Sequence, residues 1–255
     1  MNQVYRLIHK IYWQGGILIQ DIQPLYDKSM ECLLCKQKST TKKVRTRFAK
    51  VAKYETDFCP IYADSSINAL YYTIFVCPHC GFSCSEEFSR YFPPATKEAI
   101  EEKVSSHWVP QHFSNERSIK DAINAYKLAS YCGALKKEKH IILAGIHLRI
   151  AWLYRITQNS EQEKRFLRFA LTEFEASYST GDFNGTRASE AKILYLAGDI
   201  SKRIGNHKAA IKYFSLVFER QKNARETSII QMARDRFQEI KNEQGNRTTA
   251  ASLNG

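Results

Sequence analysis

Two Cys-x-x-Cys pairs, Cys32-Leu33-Leu34-Cys35 and Cys77-Pro78-His79-Cys80, restrict the fold of this chain more than any other feature. Two intervening residues let both thiolates of a tight turn aim at one ion. Four thiolates then complete a tetrahedral zinc shell with Zn–S distances of about 2.3 Å. The 41 residues between the pairs (36–76) suffice for a strand, a loop and a return strand, the layout of a zinc ribbon. Cys32, Cys35, Cys77 and Cys80 are therefore expected to hold one structural Zn2+. Gly81 follows the second pair and supplies the open backbone such a turn needs; Lys36 takes that place in the first. The competing readings are a redox site, an iron–sulfur cluster or an accident of buried cysteines. A redox Cys-x-x-Cys would open a helix in a βαβ setting, and neither pair does.

Three more cysteines complete the set of seven. Cys59 and Cys84 read either as spare ligands or as free thiols, and Cys132 as a core residue on a helix. His79 lies inside the second turn, where a side chain points outward. Paired cysteines of this kind fit metal chemistry in a reducing compartment, not a disulfide framework. We expect a cytoplasmic protein with no membrane partner. No run of about 18 apolar residues exists, and Gln14-Gly15 interrupts the apolar stretch near the N-terminus. Residues 1–23 have no clear periodicity and read as a leader irrelevant to the structure, the product of a start codon placed too far upstream.

The formal charge of +12 favours anionic partners at long range without naming one. From Cys32 to Tyr54 there is no acidic residue, while Lys36, Lys38, Lys42, Lys43, Arg45, Arg47, Lys50 and Lys53 crowd the segment. Val44, Thr46 and Phe48 alternate with Lys43, Arg45 and Arg47 as on a half-buried strand, and Lys42, Lys43, Arg45 and Arg47 are the candidate phosphate contacts. They would offset the charge of four thiolates, contact phosphates, or simply form a solvated face. Leu70–Val76, rich in aromatic and β-branched residues, reads as the second strand.

Pro93-Pro94 marks the boundary between a zinc-ribbon-like module, 24–92, and a helical domain, 95–242; residues 243–255 read as a disordered tail. The fold class expected is α+β, a small β module before an all-α repeat. Thr96, with Glu98 and Glu101, looks like a helix start. Amphipathic segments follow at about 117–135, 138–157, 160–179, 186–204, 206–221 and 224–242. Ile193–Phe218 resembles a tetratricopeptide repeat, with Gly198 at the helix contact, Gly205 at the turn, and Ala210 and Phe214 on the packed face. Weaker copies contain Ala151, Tyr154 and Ala170, then Ala122, Tyr126 and Ala129. By that resemblance Leu148, Trp152, Arg155, Lys192, Tyr195, Asp199, Lys202 and Arg203 line a groove, basic with two aromatic anchors, that suits a protein partner or an acidic peptide. The other reading makes Trp152 and Tyr154 core, and Lys202 and Arg203 solvated surface.

Tyr26-Asp27-Lys28, the first cysteine pair, Thr40–Arg45, Asp57-Phe58, Val76–Gly81, Ala151–Arg155 and Tyr195–Gly198 together resemble the bacterial family called domain of unknown function 2225. The resemblance covers about residues 24–242. It implies a cysteine-rich N-terminal part and a helical C-terminal part, and it is silent on activity. Phosphate loops, dinucleotide fingerprints, a serine elbow and the His-Glu-x-x-His helix are all missing from the sequence. The expectation is a non-catalytic scaffold or adaptor stabilised by zinc. The alternative is a nucleic-acid-binding protein that uses the basic strand. A cryptic thiol enzyme built on Cys59 or Cys84 is a third reading.

Overall fold

The computed structural model describes residues 22–64, 66–219 and 226–252; most of the expected leader, 1–21, lies outside them. The chain is α+β. The N-terminal part holds three antiparallel two-stranded pairs: β1 (Leu25–Glu31) with β2 (Lys38–Val44), β3 (Val51–Tyr54) with β4 (Pro60–Tyr62), and β5 (Phe75–Val76) with β6 (Ser83–Cys84). Seven helices follow: α1 (Thr96–Lys103), α2 (Ile119–Lys136), α3 (His140–Ile156), α4 (Ser160–Thr180), α5 (Glu190–Arg203), α6 (His207–Glu219) and α7 (Thr227–Ser252).

Both expected strands are shorter than their patterns. The β1–β2 ladder ends at Leu25↔Val44. One pair further on, the Arg45 amide donates to the Pro24 carbonyl (2.9 Å). Pro24 has no N–H to return the bond, and Thr46–Phe48 turns as a short 3-10 helix instead. Within Leu70–Val76 only Phe75–Val76 is strand, because Ala69–Tyr72 forms another 3-10 turn capped by the Asn68 side chain. Here side chains satisfy the backbone in place of a neighbouring strand. Tyr126 Oη donates to the Leu70 carbonyl, and the buried Arg117 donates to those of Tyr71 and Ile74. Tertiary context has overridden β propensity.

The helices lie close to their expected spans, since local signals set their ends. Ser118 and Asp121 form a reciprocal capping box on α2. Asn159 and Ser189 cap α4 and α5, and left-handed Gly181 ends α4. Gly198 lets α5 approach α6, for a Cβ there would stand 2.6 Å from a ring carbon of Phe214. Helix α7 continues to Ser252, through the stretch expected to be disordered; Lys202 reaches it at both Glu239 and Glu243.

Pro93-Pro94 divides the composition but not the core. One apolar cluster runs from Cys32, Phe75 and Phe82 through Ala129 and Cys132 to Phe214 and Ile240. Two buried polar joints reinforce the seam. The Ser83 amide donates to Cys132 Sγ (3.4 Å). Lys136, 1% exposed in its side chain, binds Glu138 at 2.5 Å and donates to the Tyr91 carbonyl, while Glu138 accepts from the Ser89 amide. Among the described residues no helix is long and apolar enough to cross a membrane.

Candidate metal centre and the clamp on the helical face

The two cysteine turns are built alike. In the first, the Cys32 amide donates to the Gln37 carbonyl (3.0 Å) and the Lys36 amide to the Cys32 carbonyl (3.1 Å). In the second, Cys77 donates to Phe82 (3.0 Å) and Gly81 to Cys77 (2.9 Å). Both turns need a left-handed residue after the second cysteine, with φ of 63° at Lys36 and 71° at Gly81. Lysine adopts it in the first, at an exposed position. In the second, glycine is obligatory on a further count: a Cβ at Gly81 would sit 2.5 Å from the ring of Trp108.

Folding brings Cys32, Cys35, Cys77 and Cys80 together, with all four sulfurs within 4.8 Å of one another. Cys32 Sγ lies 3.6 Å from Cys80 Sγ, and Cys35 Sγ 3.7 Å from Cys77 Sγ. These separations are far above the disulfide length of about 2.05 Å. They approach the tetrahedron edge of about 3.8 Å that four metal–sulfur bonds of about 2.3 Å require. Hydrogen bonding to Cys77, joined by burial, pushes the Cys32 thiol up, and the bonds from Cys32 and Cys80 pull Cys77 down. Deprotonated together, four sulfurs at this spacing could hold one cation. Neither Cys59 nor Cys84 belongs to the cluster, and His79 is exposed. Burial pushes the thiols of Cys59 and Cys84 up to about 12, so both stay protonated at neutral pH and are poor nucleophiles.

Trp108 was not singled out in the sequence. Its indole Nε1 donates to the Pro78 carbonyl (2.9 Å), so the ring caps the second turn. No motif marks it, since its place depends on α1 folding back over the turn.

Most of the residues expected to line a groove lie together, but they face the chain's own β3–β4 turn. The turn Glu55–Cys59 joins β3 to β4 and seats against α3 and α5, with α7 bracing α5 from behind through Arg236. Arg155 gathers three carboxylates: Nε meets Glu163 (2.7 Å), Nη1 meets Glu55 (2.7 Å), and Nη2 meets Asp57 (2.6 Å). Asp57 is fully buried and also accepts from Trp152 Nε1 (3.0 Å) and from the Cys59 amide (3.3 Å). Arg203 bonds Asp199, Thr56 Oγ1 and Glu55. Arg236 of α7 takes the other oxygen of Asp199 (2.7 Å). Tyr195 Oη donates to the Thr56 carbonyl (2.7 Å), and Lys192 Nζ lies 4.7 Å from the centre of the Phe58 ring. Burial resists ionisation of Asp57, yet the hydrogen bonds from Arg155 and the charges of Arg203 and Arg155 outweigh it and hold its carboxyl below the usual range.

Six of the eight expected groove residues thus engage the chain's own turn. The other two are Leu148, buried, and Lys202, paired with Glu239 and Glu243 of α7. Trp152 and Tyr195 are 7% and 0% exposed, so both are core side chains as well as donors to the turn. The turn's own residues carried a signal that went unused, as Glu55 and Asp57 are the first acids after a long basic run.

The four expected phosphate contacts are occupied locally. Lys42 pairs with Asp27 (2.9 Å) and Lys43 with Glu86 (3.3 Å). Arg45 donates to the Gln23 carbonyl and lies over Tyr26; Arg47 donates to the Ile22 carbonyl and lies over Phe48.

No curated protein and no solved structure matches the chain. A family profile does, over residues 25–240, and that span takes in the cysteine cluster, the docked turn and nearly all the helices. The chain belongs to the family described as "Uncharacterized protein conserved in bacteria (DUF2225)".

Proposed function

We propose that the protein is a non-catalytic adaptor: a zinc-ribbon-like module, closed on one structural Zn2+, packed against a tetratricopeptide-like repeat whose groove receives an acidic segment of a protein partner. The observation that carries this reading is the seating of Glu55–Phe58 on α3 and α5, where Arg236 of α7 braces Asp199. There the side chains expected to read an acidic peptide grip one that the chain itself provides. The zinc assignment rests on the all-sulfur donor set and its near-tetrahedral edges. Four thiolates leave no position for substrate or water, so the ion's role is to hold two turns together. Cys32 and Cys77 are fully buried and Trp108 covers one side, which suits a site that retains its metal.

Elemental analysis of protein purified without added metal tests this. One zinc per chain is expected, falling to a small fraction after Cys77→Ser. Iron in place of zinc, or a full zinc complement that survives the substitution, would overturn the metal assignment.

A further inference from the structure

The β3–β4 pair is an arm with one exposed strand, β3, and a tip bound by charged side chains. Its strands make their broad contacts with each other and with no other strand or helix. Three of the four β3 residues are exposed, and the register breaks between Val51 and Lys53. Cys59 and Tyr62 add apolar packing, and the polar recognition falls on the four-residue run Glu55-Thr56-Asp57-Phe58, read through two carboxylates, one carbonyl, one hydroxyl and one ring. That is the size of a linear recognition motif.

We infer that this tip is a resident stand-in for a ligand. The face of α3 and α5, braced by α7, is a receptor for a partner's turn of carboxylate–x–carboxylate–aromatic chemistry, and the arm gates it in cis. The inference rests on the adaptor reading and adds the partner's chemistry and the gate. Three observations support it. First, the face keeps its own carboxylates: Glu163 stays on Arg155, and Asp199 on Arg203 and Arg236. Its three guanidiniums therefore remain oriented when the tip leaves. Arg236 also pairs with Glu239, so three guanidiniums stand against three acids, and Lys192 is what leaves the vacated face positive and selective for an anion. Second, the seam is not sealed. The Glu55 side chain is 30% exposed and that of Arg203 21%, so a competitor can enter from this rim. Third, the tip is an imperfect ligand. Phe58 sits at φ 65°, a left-handed conformation disfavoured for a bulky residue. A partner that reaches the same contacts without that strain competes against it.

Tethering gives the tip a high local concentration, so a free peptide binds the wild type more weakly than it binds an arm-released protein. The probe is a fluorescein-labelled peptide of residues 51–62 with Ser in place of Cys59, titrated by anisotropy into three full-length proteins. These are the wild type, Glu55→Gln/Asp57→Asn, and that double variant with Arg155→Ala. The double variant is expected to bind at least about tenfold tighter than the wild type; the wild type binds at higher peptide concentration; Arg155→Ala removes binding. Binding to the double variant with none to the wild type at any concentration overturns the gate and leaves the receptor standing. A folded double variant that does not bind overturns the gate and the adaptor reading together. If the double variant unfolds, Glu55→Gln alone replaces it, as Glu55 is the rim residue. Hydrogen exchange of the wild type supplies an independent readout: saturating peptide should speed exchange of amides 51–62, and unchanged exchange overturns the gate.

Discussion

The chain joins distant segments in two places by opposite means. At the cysteine centre, turns 42 residues apart (Cys35 to Cys77) bring four sulfurs together in a cluster that could hold a metal ion. At the arm tip, residues 98 apart (Asp57 and Arg155) meet through charges that cancel one another without help. On the proposed reading the first closure depends on a cofactor and is all-or-none, since four ligands would share one ion. The second is graded, because each ion pair is made and lost singly. Holding the hairpins permanently and releasing the tip reversibly are tasks suited to these two kinds of joint.

The largest expected effect separates them. Chelating the ion should cost the N-terminal module a stabilisation of order 10 kcal/mol, the scale of structural zinc in small modules. Trp108 fluorescence should shift to that of an exposed indole as the second turn opens. The far-UV helical signal should largely persist, because caps and helix–helix packing hold α3–α6, whereas α2 shares its core with the module. If helicity falls in step with the tryptophan signal, the two regions are a single cooperative unit and the comparison fails.

Next comes Asp57→Ala, which leaves Arg155 and the Trp152 indole without their buried partner. Removing one member of a buried, hydrogen-bonded pair costs about 3–5 kcal/mol. Urea midpoints should show that loss with the zinc content unchanged. A fall in zinc content would mean that the tip and the cysteine turns fold together.

Acid should act on the same joint by a smaller amount. The Asp57 carboxyl is held down, so its contribution is fully present above the unfolded value of about 3.9 and is lost as pH falls through the lower folded value. The wild type should therefore keep its advantage over Asp57→Asn at pH 5 and lose it progressively below about pH 4. An advantage that is already gone at pH 5 would mean that the carboxyl is not held down.

How much of this was legible in the sequence follows from the range of each force. Metal-ligand spacing is local, so Cys32, Cys35, Cys77 and Cys80 stood out at once. Helix spans were legible because Ser118, Asn159, Ser189 and Gly181 act within a turn of their own positions. The groove side chains could be named because a helix repeats its faces. That the chain fills its own groove could not be read, because no local rule links Asp57 to Arg155 or Thr56 to Tyr195. The strand at Leu70–Val76 was over-read for the same reason. Arg117 lies 43 residues beyond Ile74, yet it takes that carbonyl from the ladder.

The smallest effect is the one that calibrates the others. Lys42→Ala removes an ion pair of the same chemistry as Arg155–Asp57, with Nζ 2.9 Å from Asp27. The two residues also stand directly opposite each other in the β1–β2 ladder. Here, however, the carboxylate is 58% exposed, against 0% for Asp57, so water solvates it in either case. An exposed pair is worth about 0–1 kcal/mol, and salt screens most of that. Lys42→Ala should therefore shift the urea midpoint barely at low salt and not at all at about 0.5 M, where the Debye length is only a few ångströms. The Asp57→Ala loss should survive the same salt, because a desolvated pair is screened far less. If Lys42→Ala costs as much as Asp57→Ala, or if salt erases both losses alike, burial is not what distinguishes the arm tip from any surface ion pair. The case for a specific receptor on α3 and α5 would lose its physical basis.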